Sequence, residues 1–144
     1  QYANTSSARR ICPAAVGAAL AVDPRNKEAN LLRARVEAAA GQILLAEEVF
    51  AYCLELEPVS LDAVVYYERG RVLLDAGRPE DAGSSFAAAV ERDPLNVDAR
   101  FNLGVAEYRQ GRRAVAAEQW RRVLELDPMH PAAREWLPRV EESP

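Results

Sequence analysis

The chain is poor in the residues that carry most enzyme chemistry. Its 144 residues include one histidine, one methionine and two cysteines. It contains no glycine-rich phosphate loop and no H-E-x-x-H, G-x-S-x-G or C-x-x-C motif. The one histidine, His130, lies between Met129 and Pro131 and is predicted to be a turn residue. The sequence therefore predicts a non-enzymatic protein that needs no cofactor and no metal.

Long apolar runs and an excess of basic charge are also lacking. No window approaches the 18 apolar residues that a membrane-spanning helix needs. The 22 acidic and 18 basic residues are interspersed, with a net charge of −4, whereas a nucleic-acid interface needs a basic face. We therefore expect a soluble chain that has no membrane span and binds no nucleic acid. The cytoplasm is favoured, and the periplasm stays open because a cleaved signal peptide would also leave a start at Gln1 without Met.

The two cysteines, Cys12 and Cys53, have no accompanying cluster of histidine or cysteine that would indicate a metal site. Each falls on a position where the corresponding helix elsewhere in the chain has a small residue, Ala116 for Cys12 and Val123 for Cys53. Both are therefore predicted to be buried structural thiols.

What the chain does contain is a unit that is repeated, seen best at residues 96–128. Its first half is predicted to be a helix that begins at the cap Asn96 and ends at Gly111. Its second half is predicted to be a helix from about Arg113 to Leu126, ended by the ring of Pro128. Apolar residues recur at helical spacing in both halves, so the unit is a pair of amphipathic helices.

The same unit recurs at a nearly constant period. Acid-proline steps separate successive copies by 34, 36 and 34 residues, at Asp23-Pro24, Glu57-Pro58, Asp93-Pro94 and Asp127-Pro128. The glycines that end each first helix keep the same 36 and 34, at Gly41, Gly77 and Gly111. A fixed period of this size is typical of stacked helical pairs.

With these residues in place, the sequence resembles the tetratricopeptide repeat family, whose pattern is W-x2-L-G-x2-Y, then A-x3-F, then P. The best copy holds at those places Arg100, Leu103, Gly104, Glu107, Ala116, Trp120 and Pro128. The copy before it holds Tyr66, Arg69, Gly70, Leu73, Ala82, Phe86 and Pro94, and the earliest full copy holds Asn30, Arg33, Ala34, Glu37, Ala46, Phe50 and Pro58. The second-helix places match well, while the departures at Arg33, Glu37, Arg69 and Glu107 predict looser packing between repeats. The resemblance implies an all-α fold, a right-handed superhelical solenoid of antiparallel helix pairs.

This register predicts one repeat domain over residues 1–144. Its parts are an N-terminal half-repeat helix at 7–26, repeats at 27–60, 61–96 and 97–130, and a C-terminal capping helix at 131–144. Helices are predicted at about Lys27–Ala40, Ile43–Leu56, Ala63–Ala76, Pro79–Arg92 and Pro131–Val140. The first helix is expected from Ser7, capped by Ser6 or Ser7, with a regular start near Cys12 because Pro13 is tolerated only in a first turn. Trp136 and Leu137 are expected to pack back on the third repeat.

In this family the first helix of each pair lines a concave face that binds partners, and the resemblance implies the same face here. The residues that it places on this face as partner-binding are Leu31, Arg35, Tyr67, Arg71, Leu74, Phe101, Asn102, Val105, Tyr108 and Arg109. Tyrosine and arginine are enriched where binding energy concentrates. The alternative is that Tyr67, Phe101 and Tyr108 fill gaps between adjacent repeats, and that the arginines are solvated or bridge to nearby acids.

The resulting hypothesis is a non-enzymatic adaptor or scaffold that captures a peptide or helix of a partner protein in the concave groove. The alternative is a structural one, in which the repeats form a homo-oligomer or one section of a longer array, with a bacterial envelope assembly factor as a remoter version. A clamp for the acidic tail of chaperones is not expected. Leu31, Arg35 and Glu68 depart from the lysines and asparagines that such clamps use, and only Asn102 agrees.

Overall fold

The computed structural model describes residues 11–142, and these form eight α-helices and one short 3-10 helix without a strand. The predicted cap at Ser6 or Ser7 and the predicted helical residues 7–10 lie outside the described residues. The helices are α1 (Pro13–Val22), α2 (Lys27–Ala39), α3 (Ile43–Glu55), α4 (Asp62–Asp75), α5 (Pro79–Arg92), α6 (Val97–Arg109), α7 (Arg113–Leu126) and α8 (Pro131–Glu141). The 3-10 helix, Val59–Leu61, occupies the stretch where the period lengthens from 34 to 36 residues.

The chain divides into two compact units, residues 1–59 and residues 60–144. In the first unit, α2 and α3 are antiparallel, because Lys27 at the start of α2 donates hydrogen bonds from Nζ to the carbonyls of Leu56 at 2.7 Å and Pro58 at 3.0 Å. Ala34 and Phe50 are fully buried in this pair. The predicted regular start near Cys12 is confirmed: Cys12 is the N-cap, and Pro13 lies in the first turn of α1.

The prediction that Cys12 is buried is wrong: its side chain is exposed at the N-cap of α1. Ala116, its counterpart in α7, is buried in a core that α6 helps to form. Among residues 11–59, no first helix precedes α1 to cover Cys12 in the same way. Cys53 is fully buried as predicted, and burial raises its pKa from 9.0 to about 11.

In the second unit, the pairs α4/α5 and α6/α7 pack through a glycine against an aromatic ring. A Cβ atom on Gly70 would lie 2.7 Å from Cε1 of Phe86, and one on Gly104 would lie 2.8 Å from Cδ1 of Trp120. Real Cβ atoms do not approach a ring this closely, so only glycine lets the rings of the second helices reach the first helices. This contact agrees with the repeat register, which gives Gly70 and Gly104 one place of the family pattern and Phe86 and Trp120 another.

The turns between the helices of a pair follow the predicted glycines. Gly77 and Gly111 have φ of +76° and +79°, a left-handed conformation that glycine adopts without strain, and Gly41 in the first unit has +80°. At the end of the chain, α8 covers the core of α6 and α7. Trp136 and Leu137 pack against that core as predicted, while Arg134 and Arg139 are exposed.

Candidate protein-binding surface

In the second unit, α4 and α6 are the first helices of their pairs, and α8 begins like the first helix of a further pair. Helix α6 is the middle one of the three. Helix α6 begins at Asn96, whose side chain accepts a hydrogen bond from the backbone N–H of Ala99 at 2.8 Å. Helical spacing then places one row of residues on a single face of α6, namely Asp98, Phe101, Asn102, Val105, Tyr108 and Arg109. Asp98 and Arg109 are exposed, and the four residues between them are half-buried.

Helix α4 contributes Tyr67 and Arg71 beside this row. The Tyr67 ring lies 6.0 Å from the Phe86 ring, and the Arg71 guanidinium lies 5.9 Å from the centre of the Tyr67 ring. Arg71 also forms an ion pair with Glu68 at 3.8 Å, as the alternative interpretation of this arginine allowed. Burial raises the pKa of the Tyr67 hydroxyl; Arg71 opposes that rise, and Asp98 and Glu68 add to it. Tyr67 is therefore a neutral, half-buried ring beside α6.

Helix α8 lies near the other side of the row and forms an aromatic cluster with it. Its Trp136 ring lies 5.7 Å from the Tyr108 ring and 5.7 Å from Trp120, and Tyr108 lies 6.1 Å from Trp120. The Phe101 ring lies 6.0 Å from Trp120 and 5.0 Å from the His130 ring. Phe101 and Tyr108 thus pack within the unit and still keep part of their surface in contact with solvent.

His130 has a defined structural role at the start of α8. Its Nδ1 accepts a hydrogen bond from the backbone N–H of Ala133 at 3.1 Å, so the imidazole is the N-cap of the helix. His130 is a turn residue, as predicted. The structure adds two roles that were not predicted, the helix cap and the ring contact with Phe101.

Two polar residues of the row are fixed by hydrogen bonds. Arg109 donates from Nη1 to the Leu74 carbonyl at 3.0 Å, which ties the end of α6 to the end of α4. Asn102 donates from Nδ2 to the Asp98 carbonyl one turn earlier at 2.9 Å. Both side chains are therefore held at the surface rather than free to rotate.

The structure brings together seven of the ten predicted binding residues on this surface: Tyr67, Arg71, Phe101, Asn102, Val105, Tyr108 and Arg109. Leu74 differs from them, because its side chain is only 6% exposed and belongs to the core with Leu73 and Phe86. Leu31 and Arg35 are half-buried on α2 in the first unit, which is described by itself. Their role in binding stays a prediction.

The sequence interpretation treated Trp136 only as a packing residue. Counting 34 residues from Asn102 reaches Trp136, so this residue occupies the corresponding place on α8, and it is half-buried beside Tyr108. The repeat period was sufficient to place Trp136 in the row. This correspondence was not predicted, because α8 departs from the repeat pattern at Leu137-Pro138, where the best copy has Leu103-Gly104.

The surface combines partly exposed aromatic rings with arginine side chains. Across residues 11–142, no three histidine, cysteine or acidic side chains gather where they could hold a metal ion. Within the same range, every helix is too short or too polar to cross a bilayer. Partly exposed aromatic rings beside arginines can bury the apolar side chains of a partner while keeping polar contacts.

Parts of this chain are similar in sequence or in structure to known proteins. A segment of 68 residues is 37% identical to the peroxisomal targeting signal receptor of Komagataella phaffii, and it spans 46% of this chain and only 12% of that receptor. The crystal structure of MamA has a TM-score of 0.77 at 21% identity, over 90% of this chain and 74% of MamA. The crystal structure of YrrB, described as a TPR protein with an unusual peptide-binding site, has a TM-score of 0.65 at 26% identity, over 83% of this chain and 61% of YrrB.

The sequence profile of the tetratricopeptide repeat family matches residues 67–128 and 105–141. The two matches overlap and together span 67–141, which is just over half of the 144 residues and includes α6, α7 and α8. The helix pairs, their glycine-aromatic contacts and this match agree with one another. The chain belongs to the tetratricopeptide repeat family.

Proposed function

We propose that this protein is a non-enzymatic adaptor or scaffold that holds a segment of a partner protein on the face formed by α4, α6 and α8. The tetratricopeptide fold is one of protein–protein interaction modules, which supports the general class. The observation that carries the proposal is a set of three partly exposed rings. Phe101 and Tyr108 belong to the row on α6, and Tyr67 lies beside it on α4, next to Arg71.

The packing of these rings bears on how they would act in binding. Phe101 and Tyr108 are held against Trp120, so their exposed edges are rigid, and little side-chain entropy would be lost on binding. Packing and partner binding are therefore compatible uses of the same rings. That YrrB has a peptide-binding site adds support, since it shares 26% of its aligned residues with this chain.

The proposed surface is tested by one substitution at its centre and one matched substitution elsewhere. Asn102→Arg adds a long cation in the middle of the row, where the native amide bonds only to its own helix. Ser84→Arg adds the same charge at an exposed position of α5, where the native hydroxyl also bonds to its own helix. Both variants are first checked for unchanged helicity and melting temperature.

Affinity capture from the source lysate, followed by mass spectrometry, then compares the wild-type protein with the two variants. We expect partners to be lost with Asn102→Arg and kept with Ser84→Arg. Retention of the same partners by all three proteins would contradict the proposed surface. Arg35→Ala tests in the same way whether α2 takes part, and partner loss with that variant would extend the proposal to the first unit.

Self-association is a second candidate, favoured by the exposed surface of α1. This helix has no charged residue, its Val22 is 88% exposed, and only Val16 is buried. A concentration-dependent mass in sedimentation that Val22→Glu abolishes would favour a self-assembling scaffold. A constant monomer mass at all concentrations would count against it.

A further inference from the structure

The exposed face of α6 carries one unneutralised charge of each sign. The Asp98 carboxylate forms no ion pair with any described residue, although it lies close enough to Tyr67 to raise its pKa. Within residues 11–142, Arg109 also has no carboxylate partner, and its hydrogen bond to the Leu74 carbonyl leaves other guanidinium N–H groups available.

The neighbouring helices differ from α6 in this respect. On α4, Arg71 pairs with Glu68 at 3.8 Å, and on α8, Arg139 pairs with Glu135 at 2.8 Å. Asp75 lies at the end of α4 near Leu74, but it forms no ion pair with Arg109. Arg71 and Arg139 are thus paired within their own helices, whereas Asp98 and Arg109, at the two ends of α6, have no ion-pair partner among the described residues.

The positions of these charges define a length. Asp98 and Arg109 are eleven residues apart on one helix, which corresponds to about 16 Å along its axis. Phe101, Val105 and Tyr108 lie between them on the same face. The helix dipole stabilises a negative charge in the first turn and a positive charge in the last turn. Asp98 and Arg109 are therefore stable in the free protein without counter-charges.

We propose that the partner segment bound by this protein carries a basic and an acidic group about 16 Å apart, with large apolar side chains between them. The basic group pairs with Asp98, the acidic group pairs with Arg109, and the apolar side chains contact Phe101, Val105 and Tyr108. This inference rests on the proposed binding face. It adds the chemistry of the bound segment and the direction in which that segment lies along α6. A separation of 16 Å equals four to six residues of an extended segment or eleven residues of a helix.

The test selects peptides rather than unidentified proteins. A display library of random 14-residue peptides is panned on the wild-type protein and on the charge-exchanged variant Asp98→Arg/Arg109→Asp. The control variant, Glu80→Arg/Arg92→Glu, makes the same exchange in the first and last turns of α5, outside the proposed face. Selected peptides are resynthesised with blocked ends and a fluorescein label, and their affinities are measured by fluorescence anisotropy.

We expect the wild-type and control proteins to select a basic and an acidic residue at one of these two spacings, in one order along the peptide. Reversing the two charges of such a peptide should weaken binding to the wild-type protein about three- to tenfold and strengthen binding to the charge-exchanged variant by a similar factor. Either spacing supports the inference, and the spacing found reports whether the bound segment is extended or helical.

Two results would overturn the inference in different ways. If selected peptides bind the wild-type protein and lose binding with Asn102→Arg, but tolerate charge reversal within twofold, then the binding face stands and the charge rule is wrong. If the selected peptides bind Asn102→Arg as tightly as the wild-type protein, or no peptide is selected, then the proposed face fails and the charge rule fails with it.

Discussion

Single residues set how closely the helices of a pair approach. Gly104 faces Trp120, and a Cβ atom there would overlap the indole ring, which donates from Nε1 to the Phe101 carbonyl at 3.2 Å. Trp120 is itself fully buried, so its indole ring is packed within the core of α6, α7 and α8. The glycine is therefore a packing requirement, although it lowers helix propensity.

The change Gly104→Ala should lower the free energy of unfolding by about 1–3 kcal/mol, because overpacking outweighs the gain in helix propensity. The matched change is Gly17→Ala in α1, where a Cβ would meet nothing within 4 Å. That variant should be neutral or stabilising by about 1 kcal/mol. Urea unfolding followed by circular dichroism measures both, and equal stability of the two variants would show that the glycine-indole contact is not tight.

The two thiols should differ strongly in reactivity. Cys12 is exposed, whereas Cys53 is fully buried with a pKa of about 11, raised by burial and lowered slightly by Lys27. At pH 8 a thiol-reactive dye should therefore label one cysteine per folded chain rapidly and the second only after denaturation. Cys12→Ser should remove the rapid phase. A rapid phase that survives in Cys12→Ser would contradict the burial of Cys53.

The same pKa shift makes stability depend on alkaline pH. The folded protein raises the pKa of the Cys53 thiol above its unfolded value, so folding favours the protonated form. The stabilisation that depends on this thiol is complete below about pH 9 and is lost progressively as the pH rises towards about 11. Unfolding free energies at pH 8 and pH 10.5 should show a larger loss in the protein that keeps Cys53 than in Cys53→Ala. The ionisation of Tyr67, whose pKa burial also raises, contributes to both proteins alike.

At the scale of helices, the sequence was a reliable guide to position. The repeat period and the turn glycines predicted the bounds of α2 to α8 to within two residues, because each end has a local cause such as Asn96, Gly111 or a proline. Side-chain partners that depend on tertiary contacts were not predictable in this way. Arg100 stands at an expected tryptophan position, and its Nη2 donates to the Pro94 carbonyl at 3.3 Å.

Asn30, at the equivalent position of α2, makes the same kind of hydrogen bond. Its Nδ2 donates to the Pro24 carbonyl at 2.9 Å, and the residue is almost completely buried. Both departures from the family pattern tie a first helix to the proline that precedes it. Arg33 and Glu37, two of these departures, form an ion pair at 3.8 Å and line an open pocket of about 230 Å³ between α1 and α2. Looser packing between repeats stays a prediction.

Helix α8 depends on its cap. His130→Ala removes the acceptor for the Ala133 N–H, so we expect faster amide exchange in the first turn of α8 and a loss of about 1 kcal/mol. His130→Asn supplies another good cap and should retain slow exchange, although it loses the contact with Phe101. Equal exchange in the two variants would show that the ring contact, rather than the cap, holds the start of α8.

At the scale of the whole molecule, charge is abundant and contributes little to stability. Exposed ion pairs such as Arg121–Glu141 at 2.6 Å and Arg122–Glu125 at 2.9 Å lie on the outer surface of α7 and α8. Pairs of this kind contribute little, because water and salt screen the attraction between the two exposed charges. Raising sodium chloride from 0.05 to 1 M should therefore change the free energy of unfolding by less than about 1 kcal/mol. A larger decrease would show that these pairs form a cooperative network.

The family and its general role could also be predicted from the sequence, because the period, the glycines and the second-helix residues are local signals. The candidate surface could be predicted only in part. The register placed Phe101, Asn102 and Tyr108 on one face of α6, where the structure shows them half-buried, but it could not show that Leu74 is buried. Burial depends on how α4, α5 and α6 pack together, which spacing along one helix does not specify.

Lys27 has a practical consequence beyond its hydrogen bonds. It is the only lysine in the chain, and it is 3% exposed with its ammonium group held by two carbonyls at the end of α3. The rate at which an amine-reactive reagent modifies this side chain therefore reports how often α2 and α3 separate. The protein thus contains a natural single-site probe of local opening. Immobilisation or cross-linking through lysine would select opened molecules, so surface attachment should use Cys12 instead.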